Sequence, residues 1–214
     1  ADRLLWSERL AQARLGPQIE ALRAELERTL ALAFDPQALV LMLHASHDDA
    51  LPLLQDHAAS QAALHLDIRF GGSVEAIRAL NAGDCVLAGF HVREGADGAS
   101  VTARTYQPLL QPGLHKLIGF ARRTQGLMVA PGNPLGLRGL RDLTRRGLRF
   151  VNRPEGSGTR VLTDLLLQRE GIAPHAVAGY DNTELTHAAV AAYVASGMAD
   201  VGLGVQTAAH RFGL

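Results

Sequence analysis

The sequence predicts an α/β protein with a parallel sheet, preceded by a long helix. Apolar runs of strand length alternate with helix-length patterns from Ala38 onward, and the polar turns fall where a strand ends and a helix begins. A hydrophobic content of 47% over 214 residues is enough to bury the core that such a sheet needs. The formal net charge is zero, so no imbalance draws the chain to nucleic acid or to an anionic membrane. Cys85, the single cysteine, excludes an internal disulfide, and its apolar surroundings read as a buried small hydrophobe in a reduced, cytoplasmic setting. No run approaches a membrane span, and Ala1-Asp2-Arg3 does not open a signal peptide. With no initiator methionine, the chain reads as a processed protein or an excised part of a longer one.

Each element follows from its periodicity. Between Leu4 and Leu30, the residues Leu15, Ile19, Leu22, Leu26 and Leu30 recur at spacings of three and four, with Glu20, Arg23, Glu25, Glu27 and Arg28 on the other faces. Such a helix has a narrow apolar stripe, suited either to a partner helix or domain link or to covering its own domain. Gly16-Pro17 interrupts it, giving one kinked helix or two pieces. Ala38 to Leu43 is a strand ending in His44-Ala45-Ser46-His47-Asp48, before a helix carrying Leu51, Leu54 and Ala58. Leu64 to Phe70 is a second strand, and Gly71-Gly72-Ser73 opens a helix with Val74, Ile77 and Leu80 that stops at Asn81-Ala82-Gly83-Asp84. A third strand, Cys85 to His91, completes a βαβαβ unit with right-handed crossovers.

Beyond it, Arg93 to Ser100 reads as a polar, glycine-rich loop and Thr105 to Leu110 as a short helix. Leu117 to Ala121 and Leu127 to Ala130 flank Arg122-Arg123-Thr124-Gln125-Gly126 and are expected to form one long bent strand crossing between two lobes. Pro131-Gly132-Asn133-Pro134 is a turn. A helix over Leu140 to Arg145, a strand over Leu148 to Val151 and a helix over Val161 to Arg169 follow. Pro174 to Tyr180 is expected as a strand, Thr186 to Ser196 as a helix stopped by Gly197, and Ala199 to Leu203 as a last strand.

The stretch Phe150 to Arg160 organises the functional reading. A strand that enters a helix through Gly156-Ser157-Gly158-Thr159 leaves several N–H groups without intrahelical partners at the positive end of the helix dipole, a ready anion site. Ser157 and Thr159 add hydroxyls, Gly158 allows close approach, and Arg153 and Arg160 bring charge. No lysine follows Gly158, so the loop is not that of a P-loop NTPase. A plain serine or threonine cap is the competing account. Ser46 and the Gly72-Ser73 pair stand at two more strand-to-helix junctions, where open α/β sheets bind ligands.

No catalytic constellation emerges. Asp48-Asp49 reads as a helix start and Asp200 as a cap or ion-pair partner. Of nine histidines, His44 and His47 are the closest pair and make an incomplete metal site. His91 and His187 read as core or lobe-interface residues. Tyr180 with Arg122 or Arg123 either clamps an organic ligand or, respectively, packs between lobes and forms a solvated turn.

The Phe150 to Arg160 loop, Gly179-Tyr180 followed by Thr186-His187-Ala188-Ala189-Val190-Ala191, and Gly197-Met198-Ala199-Asp200-Val201-Gly202-Leu203-Gly204 occur in that order. Together they resemble the type II periplasmic-binding-protein-like domain found in bacterial transcriptional regulators and some molybdopterin-biosynthesis proteins. Gly72-Ser73, Ala82-Gly83-Asp84 with His91, and Gln125-Gly126-Leu127 through Gly132-Asn133-Pro134 take the matching order too, from about Leu39 to the last residue. Leu4-Leu5-Trp6-Ser7-Glu8 and Pro17-Gln18-Ile19-Glu20 are similar to the helix that follows the winged helix-turn-helix of molybdate-responsive and LysR-like regulators.

The resemblance implies two α/β lobes clamping a ligand: a linker or dimerisation helix over 1–33, lobe one over 34–121 plus 203–214, and lobe two over 122–202. The family pattern continues beyond Phe212-Gly213-Leu214, so the chain reads as truncated, and a DNA-reading domain is expected before Ala1. The implied function is a homodimeric, non-enzymatic, ligand-sensing effector domain of a transcriptional regulator, reaching DNA only through that missing domain and needing no membrane, cofactor or metal. Its ligand would be molybdate, tungstate, a molybdopterin-like compound or another small anionic metabolite, held by Ser46, Gly72, Ser73, Arg153, Ser157, Gly158, Thr159, Arg160 and Tyr180. The alternative is a solute-binding protein of an ABC transporter.

Overall fold

The computed structural model describes residues 2–35, 37–48, 50–92 and 101–214. The loop expected over Arg93 to Ser100, and Asp49, lie outside the described residues. Helix α1 (Asp2–Phe34) is one continuous helix of 33 residues in spite of Pro17. Pro17 has no N–H for the carbonyl of Ala13, and the Thr186 hydroxyl donates to that oxygen instead, at 3.2 Å. The apolar stripe points outward: Leu15, Ile19, Leu22, Leu26 and Leu30 are 46–66% exposed, while Leu10 and Ala24 are buried. Small residues on the opposite face bring α1 close to the body of the protein.

Lobe one contains β1 (Leu39–Ala45), α2 (Ala50–Ala62), β2 (Leu64–Phe70), α3 (Ser73–Ala82) and β3 (Leu87–Gly89). The sheet is parallel in the order β2-β1-β3, with Leu39 opposite Leu64 and Leu43 opposite Leu87. The chain leaves β1 to one side and returns on the other, so the carboxyl end of β1 is a topological switch point. Leu43, Ala45, Leu51, Ala58, Leu66 and Ile68 form its core. The third strand is shorter than expected, and the following helix, α4 (Val101–Tyr106), starts earlier and ends in a 3-10 turn over Gln107–Leu109.

Lobe two contains β4 (Gln125–Val129), β5 (Phe150–Val151), α5 (Gly158–Arg169), α6 (His187–Ala195), β6 (Val201–Val205) and α7 (Gln206–Arg211). Its sheet has the order β4-β6-β5, with β4 antiparallel and β5 parallel to the fully buried β6. Four sequence expectations change here. Leu117 to Ala121 forms no strand: among the described residues nothing pairs with it, and Leu117, Ile118 and Phe120 stay largely exposed. Leu140 to Thr144 is a 3-10 turn rather than an α-helix. Pro174 to Tyr180 is a 3-10 turn and a tight bend, touching β5 through Phe150 N–H to Ala178 O at 2.9 Å. Residues 203–214, assigned from the sequence to lobe one, pack with lobe two, where Val205 and Ala208 share a core with Met128, Val151 and Val190.

That bend depends on Gly179, whose φ is +90° and whose added Cβ would stand 2.2 Å from the Phe150 carbonyl oxygen. Gly179→Ala combines left-handed strain with a backbone clash, and urea titration should show a loss of about 3 kcal/mol.

Candidate functional site

β5 delivers the centre of the site. Asn152 fixes the turn after it: its backbone N–H donates to Asn182 O at 2.8 Å, its side chain donates to Tyr180 O at 3.1 Å, and its Oδ1 accepts from Arg153 N at 2.9 Å. Arg153 is thereby folded inward, 4% exposed. Gly156, at φ +81°, turns the chain into α5, whose N-cap is Ser157, with its hydroxyl accepting from Arg160 N at 3.1 Å.

Lobe one meets this loop with the ends of its own strands. Ser46 follows β1, Gly72 caps α3 after β2, and His91 follows β3. Ser46 Oγ and Ser73 Oγ lie 3.3 Å apart, and Val74 N–H donates to Gly156 O at 3.4 Å across the lobes. The approach is close: a Cβ on Gly158 would lie 2.9 Å from His91 Cβ, and one on Gly72 would lie 3.1 Å from Gly156 O. Two helix N-termini, of α3 and α5, therefore face one crevice from opposite lobes.

Of the residues proposed from the sequence, Ser46, Arg153, Ser157, Gly158 and Thr159 line the crevice, and Gly72 and Ser73 stand beside it. Arg160 and Tyr180 do not line it. Arg160 lies over the Tyr180 ring, 3.9 Å from its centroid, and pairs with Asp164, which also accepts from the Tyr180 hydroxyl. That pairing satisfies both side chains on the outer side of α5.

Three histidines missing from the sequence-based set also line it: His47, His91 and His187. Each sits at a strand end or helix start, as the residues chosen do, but an isolated histidine carries no local signature of where it converges. Thr159 Oγ1 is 3.4 Å from His187 Nε2, and the Nδ1 atoms of His91 and His187 are buried without partners. His47 Nε2 is held by Glu20 of α1 at 2.9 Å. Asp48 caps α2 through Ala50 N and pairs with Arg123. Asp200 pairs with Arg149 at 2.6 Å, away from the crevice.

Arg153 dominates the electrostatics. Burial, and then the charge of Arg123, lower the Arg153 guanidinium from its ordinary value to about 10. Its Nε has no hydrogen-bond partner, and among the described residues no carboxylate pairs with it. Burial followed by the Arg153 and Arg123 charges pushes His187 well below 6.5, and burial followed by Arg153 lowers His91. Among the described residues no carboxylate lines the crevice; Asp48 Oδ2 stands beside it, 3.8 Å from His91 Nε2. The enclosed space, about 10 Å³, holds one water at most. Among the described residues, no group of three or more histidine, cysteine, aspartate or glutamate side chains is placed to hold a metal, and no helix is long and apolar enough to cross a membrane.

A crevice between two α/β lobes, floored by strand ends and helix starts, defines a ligand-binding fold, and the chain belongs to the PBP superfamily, whose domain matches residues 55–214. It is 31% identical over 176 residues to the uncharacterized protein YvgK of Bacillus subtilis, an alignment covering 82% of this chain and 57% of that protein. The chain thus spans little more than half the length of that relative. Among solved structures it is similar to the PA01 protein of Pseudomonas aeruginosa, provisionally assigned to the LysR family of transcriptional regulators. That match has a TM-score of 0.53 and 15% identity, covering 85% of this chain and 60% of the other. The ancestral amino acid-binding protein AncCDT-1, a precursor of cyclohexadienyl dehydratase, matches with a TM-score of 0.50 and 14% identity over 81% of this chain and 73% of its own. At such identities these two structures share the fold alone.

The histidines generate a pH dependence. A histidine whose folded pKa lies below 6.5 binds fewer protons in the native than in the unfolded state as pH drops through that value, so its stabilising contribution is complete above 6.5 and is lost as the pH falls below it. Urea midpoints should decline on acidification from 7.5 to 5, before ordinary carboxylates titrate at about 4. In His187→Gln the decline should be shallower.

Proposed function

We propose that the crevice binds a small, fully deprotonated oxyanion, of which molybdate and tungstate are the leading examples, and that the chain is the ligand-sensing effector part of a transcriptional regulator. The observation that carries this reading is Arg153, a buried guanidinium with no carboxylate partner among the described residues, set between two helix N-termini and the hydroxyls of Ser46, Ser157 and Thr159. An unpaired buried charge is costly, and a bound anion supplies the missing counter-charge. Charge-assisted hydrogen bonds contribute about 1.5–3 kcal/mol each, so five or six reach the roughly 8 kcal/mol of micromolar binding after association costs. An amino-acid ligand fits less well, because its ammonium group would need an acceptor and among the described residues no carboxylate lines the crevice. A pterin fits less well too: Tyr180, the aromatic side chain suggested for stacking, is engaged outside. The role is one of binding rather than catalysis.

The same charge gives a sharp test. Arg153→Met should weaken molybdate or tungstate binding about thirtyfold, the loss of roughly 2 kcal/mol of charge-assisted hydrogen bonding, as read by calorimetry. Unliganded Arg153→Met should unfold at an equal or higher urea concentration, because a desolvated charge has been removed. Wild-type protein that takes up none of molybdate, tungstate, sulfate and phosphate defeats the reading.

Helix α1 favours a regulator over a transport protein. Its exposed stripe, Leu15 to Leu30, is about 22 Å of self-complementary apolar surface at coiled-coil spacing, and we propose that it pairs with the same helix of a second copy. Sedimentation should give a dimer for the wild type and a monomer for Leu22→Glu/Leu26→Glu.

A further inference from the structure

Helix α1 is attached to both lobes, and the attachment changes from one lobe to the other at Gly16–Pro17. Before that point, Leu10 packs on Ala189 and Ala192 of α6, Arg14 pairs with the buried Glu184, and Ala13 O accepts from Thr186. After it, Glu20 holds His47, Gln55 donates to Glu27 at 3.2 Å, and Arg28 pairs with the buried Asp67 at 3.1 Å. Two of these partners lead straight to the crevice: Thr186 caps the helix that begins with His187, and His47 lines the crevice itself.

Both residues at the crossover weaken a helix. Pro17 leaves Ala13 O without its helical donor, and that freed acceptor is the one Thr186 of lobe two takes. Gly16 answers no steric need, since a Cβ there would meet nothing within 4 Å, and glycine is among the poorest helix formers. Bends in helices occur at such residues. The crevice has room for about one water, so an oxyanion enters only when the lobes move apart. Any such movement carries residues 10–14 one way and residues 20–28 the other.

Resting on the oxyanion reading above, we propose that α1 is a strap that reports the state of the crevice: anion binding changes the angle between the lobes, and α1 takes up that change by bending at Gly16–Pro17.

Spin labels placed by Glu8→Cys and Glu25→Cys in a Cys85→Ser background, diluted with unlabelled protein, report the distance across the hinge. The probe is whichever of molybdate, tungstate, sulfate and phosphate binds most tightly in calorimetry on the same samples. The distance should shorten when that anion is added and stay fixed in Gly16→Ala/Pro17→Ala, which should also bind the anion more weakly because a stiffer strap opposes opening. An anion that binds without moving the labels overturns the strap and leaves the anion site standing. A distance change of the same size in the double variant overturns the hinge. If none of the four anions binds, the reading beneath the proposal falls, and the proposal with it.

Discussion

Arg153 holds a full charge where the described residues give it no counter-ion, and much of the local architecture can be read as the means of keeping it there. Asn152 spends every polar group of its side chain on the turn that folds the guanidinium inward. The next residues start a helix whose own N-terminus is positive, so the loop adds to the charge rather than relieving it. Lobe one then closes over it with hydroxyls and a second helix start, and Asp48, an acid beside the crevice, is taken by Arg123 and by the cap of α2. The lining itself is arginine, histidine and hydroxyls, with Glu20 held against His47 and Asp48 against Arg123.

The common fold does not choose the ligand. The PBP superfamily supplies the two lobes and the convergence of strand ends, and a solved amino acid-binding protein and a LysR-assigned regulator both share that arrangement. In this chain the lining is arginine, histidine and hydroxyls, and among the described residues it holds no carboxylate.

Much of this was legible in the sequence, for reasons that differ by region. Lobe one could be read almost element by element because its strands are continuous apolar runs and its turns carry glycine, serine and aspartate at each junction. The Gly156 to Thr159 loop was readable because its chemistry is local. The histidines were not, since His47, His91 and His187 converge only through tertiary structure. Arg160 and Tyr180 looked available from the sequence, but Asp164, one helical turn after Arg160, satisfies both. The α1 stripe misled in a different way: periodicity marks a face without saying what covers it, and Leu10 and Ala24, outside the stripe, are the residues buried against the body. Pro174 to Tyr180 is apolar enough for a strand, yet the positive φ at Gly179 ends any regular pairing with β5.

The segment from Leu114 to Phe120 has a consequence for the protein in bulk solution. It carries Leu114, Leu117, Ile118 and Phe120 in the open, between 57% and 73% exposed, and no strand among the described residues satisfies its backbone. Bare backbone of this kind is a template on which a neighbouring molecule can lay down a strand of its own. Lys116 within it interrupts the apolar run with a charge, the arrangement by which chains resist sticking to one another as they are made and stored. The stretch stands apart from the crevice lining, so a charge change there alters self-association without touching the proposed site.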